Sequence, residues 1–204
     1  MVEDHMPYSA PPLNSLSNHA WVDLDNDGDL DLVYNSDVTG GVDVKIYKNG
    51  GGGELAPYTD SELTTAANGG TRDIEFADFD NDGLVDALKL NRQQGTAQHS
   101  TLYRNTGGGN LKLVIGSAFE TVRATHRTAS WGDYDNDGDL DVFLGSQTIS
   151  TPDNINRLFK NNGDGTFSEV VGSAMTEQVL TYGSAWADID NDYGPRPVDL
   201  HECV

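Results

Sequence analysis

Four aspartates, Asp23, Asp78, Asp133 and Asp188, stand 55 residues apart, and the residues around them recur in the same register. The segments read WVDLDNDGDLDLV from Trp21, FADFDNDGLVDAL from Phe76, WGDYDNDGDLDVF from Trp131 and WADIDNDYGPRPVDL from Trp186. A register held over three intervals is an internal repeat. One supersecondary unit is copied along the chain, and each copy must bury its apolar face against the next.

A second motif falls inside each unit. It reads KIYKNGGGGEL from Lys45, TLYRNTGGGNL from Thr101 and RLFKNNGDGTF from Arg157. An aromatic residue (Tyr47, Tyr103, Phe159) is followed by a basic residue, Asn and a glycine-rich turn. Asn and Gly accept positive φ at little cost, so this is a hairpin between two strands. A first strand ends at the aromatic residue and Asp, and a tight acidic loop follows. A second strand runs through LDLVY, VDALKL or LDVFLG, and the third carries the aromatic-basic-Asn motif. The fourth is predicted near 53–58, 110–115 and 166–171. No segment carries a convincing helical period; 173–182 has some helical character, but the equivalent stretches of the other units do not share it. The fold class is therefore all-β, with propeller blades of four antiparallel strands and about 3.5 blades in the chain. The units are about 21–75, 76–130 and 131–185. Residues 186–204 form an incomplete unit, and 1–20 align with the last strand of a preceding one.

The acidic loop has the form D-x-D-x-D-G-x-x-D. It is complete at Asp23, Asp25, Asp27, Gly28 and Asp31; at Asp78, Asp80, Asp82, Gly83 and Asp86; and at Asp133, Asp135, Asp137, Gly138 and Asp141. Carboxylates at alternate positions converge only if the chain curls sharply, which the glycine permits. A backbone carbonyl at position 7 (Asp29, Leu84, Asp139) adds a ligand, and the carboxylate at position 9 closes the cage. Hard oxygen donors in a flexible loop suit calcium better than magnesium. An EF-hand is excluded by Tyr34, Lys89 and Leu144 at position 12 and by strand-like flanks. A merely solvated turn would leave three like charges in mutual repulsion, repeated in register. The fourth loop keeps Asp188, Asp190 and Asp192, but Tyr193 replaces the glycine and Arg196 occupies position 9. Asp199 would serve only after a three-residue insertion. About three strong calcium sites and a weak or empty fourth are expected.

The net charge of −21 excludes nucleic acid as a partner, because phosphates need a basic surface. Seventeen of the 33 acidic residues sit in the four loops, so the acidity belongs mostly to the metal sites. No run of 18 apolar residues exists for membrane insertion. Cys203 is the single cysteine, which excludes an internal disulfide and a cysteine-rich metal site. The opening residues MVEDHMPYSAPP lack the basic start and apolar core of a secretory leader. Either a leader was removed or left out, or the chain is a fragment, or the protein stays inside.

The WxDxDxDGDxDL segment with RLFKNNGDGTF downstream resembles the FG-GAP, or VCBS-like, repeat. Such repeats build the calcium-binding blades of integrin α-type propellers and of many secreted bacterial proteins. The resemblance runs from about Trp21 to Asp192. It implies that the acidic loops lie on one rim, where calcium stiffens the blade. It also implies that ligands use the opposite face. There the loops entering the first strands are 14–19, 68–73, 123–127 and 181–183, and those between second and third strands are 35–41, 91–99 and 146–156. The resemblance further implies an extracellular or cell-surface location.

With about 3.7 units, three architectures are compatible with the chain: a piece of a longer protein, an open arc, or a ring completed by a second copy in a homodimer. The recurring Trp21, Phe76, Trp131 and Trp186 are read as packing between blades. His5, His19, His99, His126 and His201 share no ligand spacing, and His19 and His126 are read as polar loop positions. Arg72 and Tyr182 stand in entering loops as candidate contacts to a glycan or protein. GGGG at 50–53 lacks the Lys and helix of a phosphate loop. No nucleophile has an adjacent base, and the acids are too regular for a glycosidase pair. The expectation is a non-enzymatic, calcium-stabilised binding and adhesion scaffold with a protein or glycan ligand. The alternatives are the propeller portion of a secreted polysaccharide-degrading enzyme, or a lectin.

Overall fold

A computed structural model describes residues 16–36, 44–52, 54–65, 70–91, 99–122, 124–147, 154–173, 176, 178–187 and 196–199. Each acidic loop joins two strands of an antiparallel sheet, as the repeat predicts. The first sheet runs β1 (Leu16–Val22), β2 (Asp31–Ser36), β3 (Val44–Asn49) and β4 (Leu55–Tyr58), in that spatial order. A short helix, α1 (Glu62–Thr65), leads to the second sheet: β5 (Thr71–Ala77), β6 (Asp86–Asn91), β7 (Thr101–Asn105) and β8 (Leu111–Leu113). A single 3-10 turn (Ala118–Thr121) leads to the third: β9 (His126–Gly132), β10 (Asp141–Ser146), β11 (Arg157–Asn161) and β12 (Phe167–Val170). Then β13 (Ser184–Ala187) pairs with β14 (Arg196–Asp199). Every pairing is antiparallel between chain neighbours, so these are three propeller blades and the first half of a fourth, not closed into a ring. The first strands of successive blades lie beside one another.

Two boundaries differ from the sequence reading. Residues 16–20 belong to β1, the first strand of the first blade, and not to the last strand of a preceding unit. The first strands of the three complete blades are seven residues long and start well before the aromatic residue that marked them, so much of each entering segment is strand. The linkers also contain the two short helical turns. Four residues are too few to show a period, but each turn drops one apolar side chain between blades. Leu63 and Phe119 are both buried there.

The blades adhere through two apolar layers. Between the first and second lie Leu24, Val33, Ile46, Leu63, Ile74 and Tyr103. Between the second and third lie Phe79, Leu88, Leu102, Phe119, Val142 and Phe159, with Phe119 set 4.8 Å from Phe159 and 5.2 Å from Phe167. Three of the four recurring aromatics pack as expected, and Trp21 does not. Phe76 borders the first layer, Trp131 borders the second, and Trp186 donates its indole N–H to the Ser130 carbonyl at 3.0 Å. A Cβ on Gly132 would stand 2.5 Å from the Trp186 ring, so that glycine is required by the approach. Trp21 is 52% exposed, with no described blade before it.

A polar brace accompanies each layer. The Asn105 amide donates to the Leu24 carbonyl of the preceding blade at 2.7 Å and to its own blade's Val85 carbonyl at 3.0 Å. Asn161 does the same to Phe79 at 2.7 Å and Leu140 at 3.2 Å. Among the described residues the Asn49 side-chain amide donates only to its own blade's Leu30 carbonyl, at 3.3 Å.

His126 corrects the reading of a polar loop position. It lies in β9, is buried, and neither ring nitrogen has a hydrogen-bond partner among the described residues. Burial first, then the Arg157 charge, push its imidazole down to about 3. The fold holds it neutral while the unfolded chain protonates it near 6.5. Its contribution is therefore complete above 6.5 and is lost as pH falls toward 3. In urea unfolding at stepped pH, His126→Phe is expected to gain on the parent protein progressively below pH 6.5 and to hold a constant difference above it. Asn161→Ala strips a donor from two buried carbonyls and is expected to cost about 1–3 kcal/mol in the same assay. Asn49→Ala is expected to cost distinctly less.

Candidate metal centres

The acidic loops share one backbone turn and one set of loop hydrogen bonds in the three complete units. The Asn at position 4 is left-handed in each (Asn26 φ 62°, Asn81 φ 58°, Asn136 φ 60°), and so is the glycine at position 6 (Gly28, Gly83, Gly138). Asn tolerates this conformation because its short polar side chain bonds locally. These two residues curl the chain around the first aspartate. Asp23 accepts the Asp27 and Gly28 amides at 3.1 and 3.0 Å. Asp78 and Asp133 repeat this with Asp82 and Gly83, and with Asp137 and Gly138. The position-5 carboxylates of Asp27, Asp82 and Asp137 each accept the amide of position 7 at 2.9–3.0 Å.

Position 9 has a second task besides facing the loop. Asp31 accepts the Leu24 amide at 3.0 Å and the Asn49 amide at 2.8 Å. Asp86 takes Phe79 and Asn105, and Asp141 takes Tyr134 and Asn161, all between 2.7 and 3.1 Å. Each of these buried carboxylates ties the loop to the third strand. Burial outweighs the amide donors, pushing Asp86 up to about 7 and Asp141 up to about 6. Neighbouring loop carboxylates add to the rise.

Carboxylate oxygens of Asp23, Asp25 and Asp27 lie within 4.8 Å of one another, as do those of Asp78, Asp80 and Asp86, and of Asp133, Asp135 and Asp141. Asp31, Asp82 and Asp137 flank these groups rather than join them. Of the position-7 residues, Asp139 spends its side chain on the Asn81 amide of the preceding blade at 2.7 Å. Asp29 and Leu84 offer their amides to position 5. Asp188, Asp190 and Asp192 lie outside the described residues. The backbone beside them pairs Ala187 with Arg196, the same register as Val22 with Asp31, so Arg196 stands at position 9. Asp199 pairs with Ser184 at the far end of the strand.

The donor set fits a hard divalent cation. It is all oxygen, and Asp25 Oδ1 and Asp80 Oδ1 are buried without a hydrogen-bond partner. A cation would supply that partner and reverse the carboxyl shifts.

The basic residue of the hairpin motif, which sequence reading left without a role, also serves the loop. Lys48 lies 3.2 Å from Asp25, Arg104 lies 2.6 Å from Asp80, and Lys160 pairs with Asp135 and, at 3.0 Å, with Asp137. The hairpin of the next blade closes over the first two. Lys48 donates to the Gly108 carbonyl, and a Cβ on Gly165 would meet Arg104 at 2.6 Å. The recurrence of Lys or Arg before Asn was the signal for this pairing.

Known proteins agree with this architecture. A solved lectin of Agrocybe aegerita, described for specific recognition of non-reducing terminal N-acetylglucosamine, superposes with a TM-score of 0.59 at 20% identity. The match covers 89% of this chain and 46% of the lectin chain, so this chain spans about half that protein's length. No curated protein matches the chain. The FG-GAP-like repeat model matches residues 23–88 and 93–144, two stretches that together exceed half of the sequence. The chain therefore belongs to the FG-GAP-like repeat family.

Proposed function

We infer that this chain is a calcium-stabilised propeller module serving as an extracellular binding and adhesion scaffold, without catalysis of its own. The observation that carries the reading is the threefold repeated acidic loop, with convergent carboxylates and orphaned oxygens on Asp25 and Asp80. Calcium would be held by Asp23, Asp25 and Asp27, by Asp78, Asp80 and Asp86, and by Asp133, Asp135 and Asp141. It supplies the positive charge that these groups lack. Lys48, Arg104 and Lys160 then act as partial counter-charges at the rim of each loop. Loops of this kind in extracellular modules bind at roughly 10⁻⁴–10⁻³ M, which matches calcium outside cells.

The binding role draws on the family and on the lectin neighbour, whose described activity is sugar recognition. A glycan is the favoured ligand class on that ground. The span of about half the lectin chain supports a ring completed by further blades, whether from a second copy or from the same protein.

Chelation with EDTA is expected to lower the melting temperature by several degrees, and calcium to restore it, because the ion binds only the folded cage. An unchanged melting curve would overturn the calcium reading. In calorimetric titration, Asp80→Ala is expected to remove one of about three calcium sites and leave the others intact.

A further inference from the structure

A groove of about 460 Å³ opens at the end of the first strands opposite the acidic loops. Asn18, Arg72, Asp73, Arg127, Thr128 and Tyr182 line it. With Thr71, which also lines it, these residues come from four successive units, all but Thr71 at two phases of the repeat. Asn18, Asp73 and Thr128 share one phase; Arg72, Arg127 and Tyr182 share the position before it.

The backbone explains why these side chains are on display. In β1 the ladder pairs Leu16 with Ser36 and then Asn18 with Asn35, skipping residue 17. In β5 it pairs Thr71 with Asn91 and then Asp73 with Leu90, skipping Arg72. In β9 it pairs His126 with Ser146 and then Thr128 with Gly145, skipping Arg127. The same one-residue bulge thus recurs in all three blades. A bulge takes its residue out of the ladder and re-aims the side chain, and such bulges concentrate beside binding sites. Two of the three bulge residues are arginines, in a chain of net charge −21.

The surroundings favour an anion. Arg127 lies 4.4 Å over the Tyr182 ring and forms no ion pair among the described residues. Asp73 accepts the Asn18 amide and its own strand's Ile74 amide; burial raises its carboxyl, and the neighbouring Arg72 charge lowers it in part, so Arg127 is the cation that the groove offers most fully. Six residues of extended strand separate Arg72 from Asp78, roughly 20 Å at the usual rise. That is beyond the screening length of about 8 Å at physiological salt, so the acidic loops do not cancel the arginines.

We propose that this bulge-built groove binds a carboxylate-bearing saccharide, a uronic-acid type sugar, at the mouth of the propeller. The arginines take the carboxylate, which a planar guanidinium matches in a forked geometry. The ring of Tyr182, 55% exposed, offers a face to the sugar, and Asn18 and Thr128 meet its hydroxyls. The proposal rests on the scaffold reading for a binding role but not on calcium.

The test titrates the calcium-loaded full chain with digalacturonic acid, with the neutral galactose disaccharide and with a short polyglutamate peptide. Arg127→Gln, Arg72→Gln and Tyr182→Ala are titrated in parallel. The expected result is millimolar or tighter binding of digalacturonate, at least tenfold weaker binding of the neutral sugar, and at least tenfold loss in each arginine variant. Melting curves of these variants should keep the parent's response to EDTA, which separates lost binding from lost folding. Equal binding of acidic and neutral sugars, no binding of digalacturonate at millimolar concentration, or unchanged affinity in both arginine variants would overturn the proposal. Tighter binding of polyglutamate would overturn the saccharide class. A failure of calcium stabilisation would appear in the melting curves and not in these affinities.

Discussion

The buried carboxylate at position 9 of each acidic loop is the joint on which a blade turns. Asp31, Asp86 and Asp141 stand at the first residue of a second strand and accept amides from two directions, one from the loop and one from the third strand. Such a group cannot be exchanged for an apolar residue without orphaning two backbone donors. It also cannot be desolvated cheaply while charged, which is why burial lifts Asp86 and Asp141 toward neutrality. The same residue that organises the hydrogen bonding thereby gathers negative charge at the loop. Under the calcium reading proposed above, structure and metal affinity become one requirement seen from two sides.

From that joint the blade passes its order to its neighbour. The amide of Asn105 belongs to the residue that caps Asp86, and its side chain crosses to Leu24 of the blade before. Asn161 links Asp141 to Phe79 in the same way. Apolar layers supply most of the adhesion between blades, being non-directional. The asparagines add what such layers lack, a fixed offset of one blade on the next. The ion pairs of Lys48 and Arg104, closed over by the next hairpin, reinforce that offset on the loop rim.

The blade order, the acidic loops and the interblade aromatics were legible from the 55-residue period alone, because each is repeated in composition as well as in place. The basic residue before Asn was visible too, yet its partner was not. Pairing Lys48 with Asp25 needs the third strand to lie beside the loop, which only the sheet order reveals. The turns at Leu63 and Phe119 escaped because four residues carry no periodicity. His126 escaped for a different reason. A histidine at the start of a strand reads as polar, and its burial appears only in the folded chain. The bulges are invisible in sequence, since a skipped pairing changes no residue type.

Those bulges have a consequence for how the family can diversify. A residue skipped by the ladder is not held to a register partner across the sheet. Positions 17, 72 and 127 carry Ser, Arg and Arg, while the aromatic four residues further on is held to Trp or Phe. The chain thus keeps two ledgers on one strand. One half is bound by the period of the fold, and the other is a free coding position repeated around an axis, where recognition chemistry changes blade by blade without disturbing the architecture that presents it.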